Sequence, residues 1–437
     1  MINPVLLIRH FSTDDIEGGA ARAAFRLHTA LRDSGLRSQM IVRRKKSDDD
    51  DVLQLPPVSY SLWRRELNRL KRRIPGLKPR EIKADYIFNF HRPPEVDLQP
   101  ILRIAPSRDE IICLHWINGL LDAQSIRRIH DHFRSPLVWL IHDLEPLTGG
   151  CHYSFGCDGY TKQCGECPRI GSANSNDLSH QIWLRKCEHL SNLPICFIAP
   201  SSWGVKHARK SSLFRHARIE RIPYAINTRV FRPFCQHAAR EVMQLPQDKK
   251  IILFGATYLE DRRKGIDYLI AAFDVLVSLI DPRGNVEKLQ RDDIFLLAVG
   301  LNGKGLMQRL PFAGRYIGQI SDELMMALAY QSADIFVCSS LDDSGPMVIP
   351  EAMLCGTPVV SFDGTGASDL VKTMETGYLA ANGDARDLAQ GIHALLITDL
   401  VQSIRAAAWK AAAEAHSPSL VAKRHTELYQ SLLSNSV

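Results

Sequence analysis

Short apolar runs, repeatedly separated by helical or polar stretches, limit the fold of this chain more than any other feature. Val5–Ile8, Gln39–Val42, Ile111–Leu114, Leu137–Ile141 and Cys196–Ala199 make a first series. Ile251–Phe254, Ile294–Val299, Tyr316–Ile317, Ile335–Cys338 and Val359–Phe362 make a second. Such alternation implies α/β architecture, with parallel sheets covered by helices. The first 45 residues already read as strand, Gly18-Gly19 turn, helix ended by Gly35, and strand. The expectation is two Rossmann-like domains facing a cleft, with ligands at the carboxyl ends of the strands. Residues 1–230 form the first domain, 231–416 the second, and 417–437 a helix returning to the first.

Composition narrows the class. With 45% hydrophobic and 23% charged residues among 437, the chain is globular and large enough for two or three domains. No apolar stretch approaches the ~18 residues of a membrane span, and Val5–Ile8 is too short for a signal-peptide core. A cytoplasmic location is expected. The formal charge of +6 is uneven. Arg43–Lys46 followed by Asp48–Asp51 reads as a solvated, self-compensating loop. Residues 63–83 place Trp63, Leu67, Leu70 and Ile74 at helical spacing among Arg and Lys. That pattern suits either peripheral contact with anionic lipid on the inner membrane face or a surface helix packed inward. No nucleic-acid module accompanies the charge.

The segment 334–363, DIFVCSSLDDSGPMVIPEAMLCGTPVVSFD, carries most of the functional signal. A buried strand leads into a Gly/Pro loop, a short helix opening near Glu351, and a second strand. Asp343 and Glu351 stand eight residues apart around a helix start, where backbone amides favour anions. The alternative is a turn Asp and a first-turn Glu serving only the helix. The pair resembles the acidic-x7-acidic motif of retaining family 4 glycosyltransferases, which have the GT-B fold. That family usually has Glu at both ends, where this chain has Asp343 at the first. The resemblance implies Glu351 on the nucleotide ribose and Asp343 on the donor sugar.

Arg262-Arg263-Lys264-Gly265 precedes a helix, where cations oppose the dipole and call for compensation. A bound diphosphate would supply it. The resemblance assigns Arg263 and Lys264 to the diphosphate, Gly18 and Gly19 to the donor phosphate through loop amides, and His142 to the donor sugar. Trp116 and Asn118, at the end of the preceding strand, are candidates to stack on and hydrogen-bond an acceptor sugar. No Asp-x-Asp cluster stands beside the donor motifs, so no catalytic divalent metal is expected.

Cys151, Cys157, Cys164 and Cys167 fall within 17 residues. In a cytoplasmic protein this favours a closed, structural Zn²⁺ site, with His152 as a substitute ligand; disulfides, free thiols or an iron–sulfur cluster are the alternatives. The Cys-rich segment resembles an insertion in some bacterial polysaccharide glycosyltransferases of this family, similar to those of colanic-acid-type pathways.

The resemblance implies transfer of a hexose from a nucleotide diphosphate sugar to a hydroxyl of a glycan or lipid-linked acceptor, with retention. Alternatives are a nucleotide-sugar epimerase of GT-B fold and a non-enzymatic zinc-containing binding protein.

Overall fold

The computed structural model describes residues 6–58, 88–89, 93–280, 289–303 and 305–434. The basic stretch 63–83 lies outside them. The chain divides into two compact units, one of residues 1–200, 204–222 and 422–437, the other of 201–203 and 223–421. The division falls at Pro223, eight residues before the expected bound at 231, because the segment that follows Pro223 is core to the second unit. Ile226 and Phe231 are fully buried there, and the Ile226 amide donates to the His416 carbonyl at 3.0 Å. The last helix, Pro418–Ser434, belongs to the first unit from Ala422 onward.

The first unit is a seven-stranded parallel sheet of β1 (Leu7–Asp14), β2 (Arg37–Arg44), β3 (Val52–Gln54), β4 (Glu110–Leu114), β5 (Leu137–Leu140), β6 (Ile195–Ala199) and β7 (Arg218–Arg221). Their spatial order is β3-β2-β1-β4-β5-β6-β7. β1 extends well past the expected Ile8. Arg9, His10, Ser12, Thr13 and Asp14 are all buried in it, and each polar side chain has a partner inside the unit. Arg9 pairs with Glu110 on β4, and Asp14 is clamped by Arg44 on β2. The charged run after β2 is therefore not self-compensating. Arg44 goes to Asp14, Lys46 to Glu17 at 2.8 Å, and Asp49 to Arg32 at 2.6 Å.

The second unit is a six-stranded parallel sheet of β8 (Lys250–Tyr258), β9 (Ile294–Leu301), β10 (Gly314–Gly318), β11 (Ile335–Cys338), β12 (Val359–Phe362) and β13 (Gly377–Ala380). Its order is β10-β9-β8-β11-β12-β13. Side chains alternate across it: Ile252 and Phe254 enter one core with the helices Ile266–Ile280 and Ala385–Ile397. Ile251 and Leu253 enter the opposite core, with Glu323–Ser332 and Val348–Leu354. Burial on both faces is why the strands read as continuous apolar runs. Among the described residues no helix is long and apolar enough to cross a membrane.

Candidate functional site

In the second unit the carboxyl ends of β8 and β11 bring together the basic turn and the acidic loop. Arg262–Lys264 form a single 3₁₀ turn, capped by Asp261, whose side chain accepts from the Arg263 amide at 2.9 Å. Gly265 then takes φ +67 and lets the helix Ile266–Ile280 start. A Cβ there would lie 2.0 Å from the Ser339 carbonyl oxygen, so only glycine allows the turn to lie against the end of β11. Two hydrogen bonds sew the turn down: Ser339 Oγ donates to the Lys264 carbonyl at 2.8 Å, and the Leu341 amide to the Arg263 carbonyl at 2.8 Å.

This crossing sets the charges. Lys264 Nζ donates to Asp343 Oδ2 at 2.6 Å, and Arg263 Nη1 donates to the same oxygen at 3.1 Å. Arg263 Nη2 reaches Asp261 at 3.2 Å. Burial disfavours a charged Asp343, yet Lys264 and Arg263 together hold its carboxyl below the usual range. Compensation of the basic turn, expected from a diphosphate, is thus already supplied by Asp261 and Asp343. A small cavity beside the turn is lined by Gly255, Ala256, Lys264, Ser339 and Ser340.

Glu351 takes a different partner. The helix opens at Val348, not at Glu351, so Glu351 lies at the end of its first turn. Its Oε2 accepts from the Tyr330 hydroxyl at 3.3 Å, and burial with Glu351 alongside pushes the Tyr330 phenol up. Tyr330 gave no functional signal in the sequence, since an aromatic in an apolar helix reads as core.

The remaining candidates lie in the first unit. Gly18, at φ +93, caps the helix Gly19–Asp33. Asp15 ties the adjoining loop to the one after β2, accepting from the Lys46 and Ser47 amides at 2.9 and 2.7 Å. His142 follows β5 and is buried; its imidazole is held down to about 4 by desolvation, against the opposing charge of Asp143. Its Nε2 lies 3.0 Å from His115 Nδ1, and His115 Nε2 lies 2.8 Å from His10 Nδ1. Neither His10 nor His115 stood out as functional in the sequence. The sequence carries no clue to the pairing, which follows from the register of β1 on β4, where His10 stands opposite Cys113, two residues before His115. Trp116 tilts over His152 with ring centroids 5.9 Å apart, and the Asn118 carbonyl accepts from Thr13 Oγ1 at 2.8 Å.

His152 is engaged elsewhere than with the cysteines: its Nδ1 pairs with Asp143 Oδ2 at 2.7 Å. Burial alone would lower its pKa, but Asp143 raises it. All ten cysteines are free, so no disulfide links the four at 151–167. Cys164 Sγ accepts from the Gly149 amide at 3.3 Å. Cys167 is drawn down to about 6 by the Cys151 thiol and by the Arg169 and Ile170 amides, while Cys151 rises correspondingly. Cys151 lies within electrostatic reach of Cys157, Cys164 and Cys167, but the described residues whose ligand atoms all come within 4.8 Å of one another are His10, Cys113 and His115. The loop after His142 has a second brace. Buried Lys186 donates to Glu145 Oε1 at 2.8 Å and to the Thr148 carbonyl at 3.0 Å.

Comparison with known proteins places this geometry. Residues 248–398 match the family model "Glycosyl transferases group 1". The phosphatidyl-myo-inositol mannosyltransferase of Mycobacterium leprae is 29% identical over 203 residues, 45% of this chain and 50% of the relative. The chain therefore spans about half the length of that mycobacterial relative. A putative colanic acid biosynthesis glycosyl transferase, WcaC of Escherichia coli K12, is 22% identical over 97% of this chain and 100% of its own. Among solved structures, Anabaena HepE in complex with UDP and glucose aligns over 98% of this chain and 100% of its own, with TM-score 0.63 and 16% identity. The fold is that of the GT-B glycosyltransferases, two Rossmann-like parallel-sheet domains.

Proposed function

With residues 248–398 a group 1 glycosyl transferase domain, we propose that this protein moves a hexose from a nucleotide diphosphate sugar to a hydroxyl of a glycan or lipid-linked acceptor, with retention. The observation that carries the reading is the Lys264–Asp343–Arg263 cluster, which lies inside the matched domain at the carboxyl ends of two central strands.

Lys264 and Arg263 would bind the donor diphosphate, one as a point charge and one as a planar fork. As the bond from the anomeric carbon to phosphate oxygen breaks, the same cations stabilise the charge on the leaving diphosphate. The acceptor oxygen forms its bond to the anomeric carbon on the face the diphosphate leaves, and its proton passes to the leaving phosphate oxygen. Asp343 accepts from a donor-sugar hydroxyl while holding Lys264 in place. Glu351, beside the Tyr330 hydroxyl, accepts from ribose hydroxyls. Loop amides at Gly18 and Gly19 add donors to phosphate, His142 meets the donor sugar, and Trp116 and Asn118 take the acceptor.

Cys151, Cys157, Cys164 and Cys167 would hold a structural Zn²⁺. Four sulfur donors suit that ion; the Cys151 thiol and backbone amides draw Cys167 toward the thiolate, while burial raises Cys164 against the pull of the Gly149 amide. Zinc there supplies local folding and takes no part in transfer. By its sequence, 63–83 is the segment through which contact with anionic lipid at the inner membrane face would run.

A thermal-shift panel of nucleotide sugars identifies the donor, because a bound ligand raises stability by mass action. Free nucleoside diphosphate released only when acceptor is present supports transfer; interconversion of sugars without acceptor would mean an epimerase. Absence of any nucleotide binding would leave a binding protein.

A further inference from the structure

The three imidazoles of His10, His115 and His142 form one chain, His10 Nδ1 to His115 Nε2 at 2.8 Å and His115 Nδ1 to His142 Nε2 at 3.0 Å. Consecutive rings lie 5.1 and 5.3 Å apart between centroids. All three side chains are buried, and desolvation keeps all three neutral. A neutral imidazole has one N–H and one bare nitrogen, so every bond in the chain must run in the same direction. Only two arrangements exist.

If hydrogens point inward, His142 Nε2–H donates to His115 and His115 Nε2–H donates to His10. His10 must then carry its own hydrogen on Nε2, a buried atom with no partner among the described residues. If they point outward, His10 Nδ1–H donates to His115 Nε2, His115 Nδ1–H donates to His142 Nε2, and His10 Nε2 is a bare lone pair. Orphaned buried N–H groups are rarer than under-satisfied acceptors. Cys113 is compatible with either direction: its thiol lies 3.6 Å from His115 Nε2 and 3.9 Å from the Tyr429 hydroxyl, to which it can donate in both arrangements.

A metal shared by His10, Cys113 and His115 fits less well. Two imidazole nitrogens on one tetrahedral zinc at about 2.0–2.1 Å each stand roughly 3.3 Å apart. The observed 2.8 Å is a hydrogen bond.

We infer that His10 and His115 are positioning residues that fix the tautomer of His142. His142 keeps its hydrogen on Nδ1, so that toward any ligand at that atom it acts as a neutral hydrogen-bond donor, not as a base. The ligand half of this statement rests on the donor-sugar reading above, a sugar hydroxyl or phosphate oxygen being the acceptor. The tautomer half does not.

Long-range ¹H–¹⁵N correlation spectra of the ¹⁵N-histidine-labelled full chain at neutral pH read the tautomers directly. The expected result is Nδ1–H at His10, His115 and His142, a form that is the minor one for free imidazole in water. Nε2–H at His142, or coupling to a bound metal at His10 and His115, would overturn the inference without any variant having to fold. Two variants then test the link to function, with donor hydrolysis measured over a panel of UDP- and GDP-hexoses. His115→Phe removes the donor to His142, and kcat/KM should fall about tenfold or more, the equivalent of one lost hydrogen bond. His115→Asn keeps an N–H for His142 and a carbonyl for His10, and should recover most of that loss with His142 still Nδ1–H. Equal loss in both variants would make His115 merely structural and overturn the positioning role. Correct tautomers in a protein that hydrolyses no nucleotide sugar would instead sink the donor-sugar reading alone.

Discussion

Lys264 and Asp343 are joined at 2.6 Å across a backbone crossing that Gly265 permits. One glycine thus places a cation from the turn after β8 beside a carboxylate from the loop after β11, and the proposed diphosphate site lies at that crossing.

Gly265→Ala should therefore damage both stability and binding. The new Cβ would meet the Ser339 carbonyl at 2.0 Å, in a left-handed conformation that alanine adopts only with strain. We expect a loss of at least about 2 kcal/mol in urea unfolding and weaker nucleoside diphosphate affinity. Unchanged stability would mean that the turn shifts freely and that the crossing does not fix Lys264.

Asp343 and Glu351 should separate by role. Glu351→Ala is expected to lose nucleoside diphosphate affinity, because Glu351 is assigned to ribose. Asp343→Ala is expected to lose turnover more than affinity, because it is assigned to the sugar. Calorimetry with nucleoside diphosphate alone, set beside kcat with donor, distinguishes them. Equal affinity losses in both would show that the roles are not divided this way.

Acid should unfold the first unit early. His10, His28, His115, His142 and His425 all have folded pKa values below the ordinary 6.5, chiefly through burial, with His28 and His142 at about 4. Below 6.5 the unfolded chain takes up protons that the folded chain refuses, so stability falls as pH drops from about 6.5 toward 4. Each such histidine removes roughly 1.4 kcal/mol per pH unit in that window. His152 acts in the opposite sense, since Asp143 raises its pKa and its contribution is complete below 6.5. Asp343, held below its ordinary 3.8, matters only at lower pH still. Denaturant titrations at pH 7.5, 6.5 and 5.5 check this; stability flat across that range would contradict it.

Much of the second unit was legible because its strands are apolar on both faces and its site residues fall at strand ends. The candidates Asp343, Glu351, Arg263 and Lys264 could be singled out by their places around two helix starts and by the family resemblance. The sequence gives no sign that Lys264 rests on Asp343, because residues 79 apart meet only through a sheet crossing. β1 was the least legible strand. Arg9, His10, Ser12, Thr13 and Asp14 break its apolar pattern, yet all are buried, because Glu110, His115, Asn118 and Arg44 satisfy four of them from neighbouring segments and Ser12 bonds locally to the Asp14 carbonyl. Periodicity detects burial by hydrophobicity and misses burial by pairing.

Zinc content tests the Cys-rich segment. The purified reduced protein should carry about one equivalent, since a closed four-thiolate site binds tightly and couples metal to local folding. Cys167→Ser should release the metal and lower the melting temperature, with nucleoside diphosphate affinity affected less. An active, reduced protein without zinc would leave Cys151, Cys157, Cys164 and Cys167 as thiols.

The most direct test of the central claim is calorimetric titration of nucleoside diphosphate into the wild type and Lys264→Ala. A charge-assisted phosphate contact predicts a loss of roughly 2–4 kcal/mol between binding and transition-state stabilisation, seen as weaker binding together with lower kcat/KM in a correctly folded variant. Equal affinity and equal kcat/KM in the two proteins would contradict the assignment of Lys264 to the diphosphate.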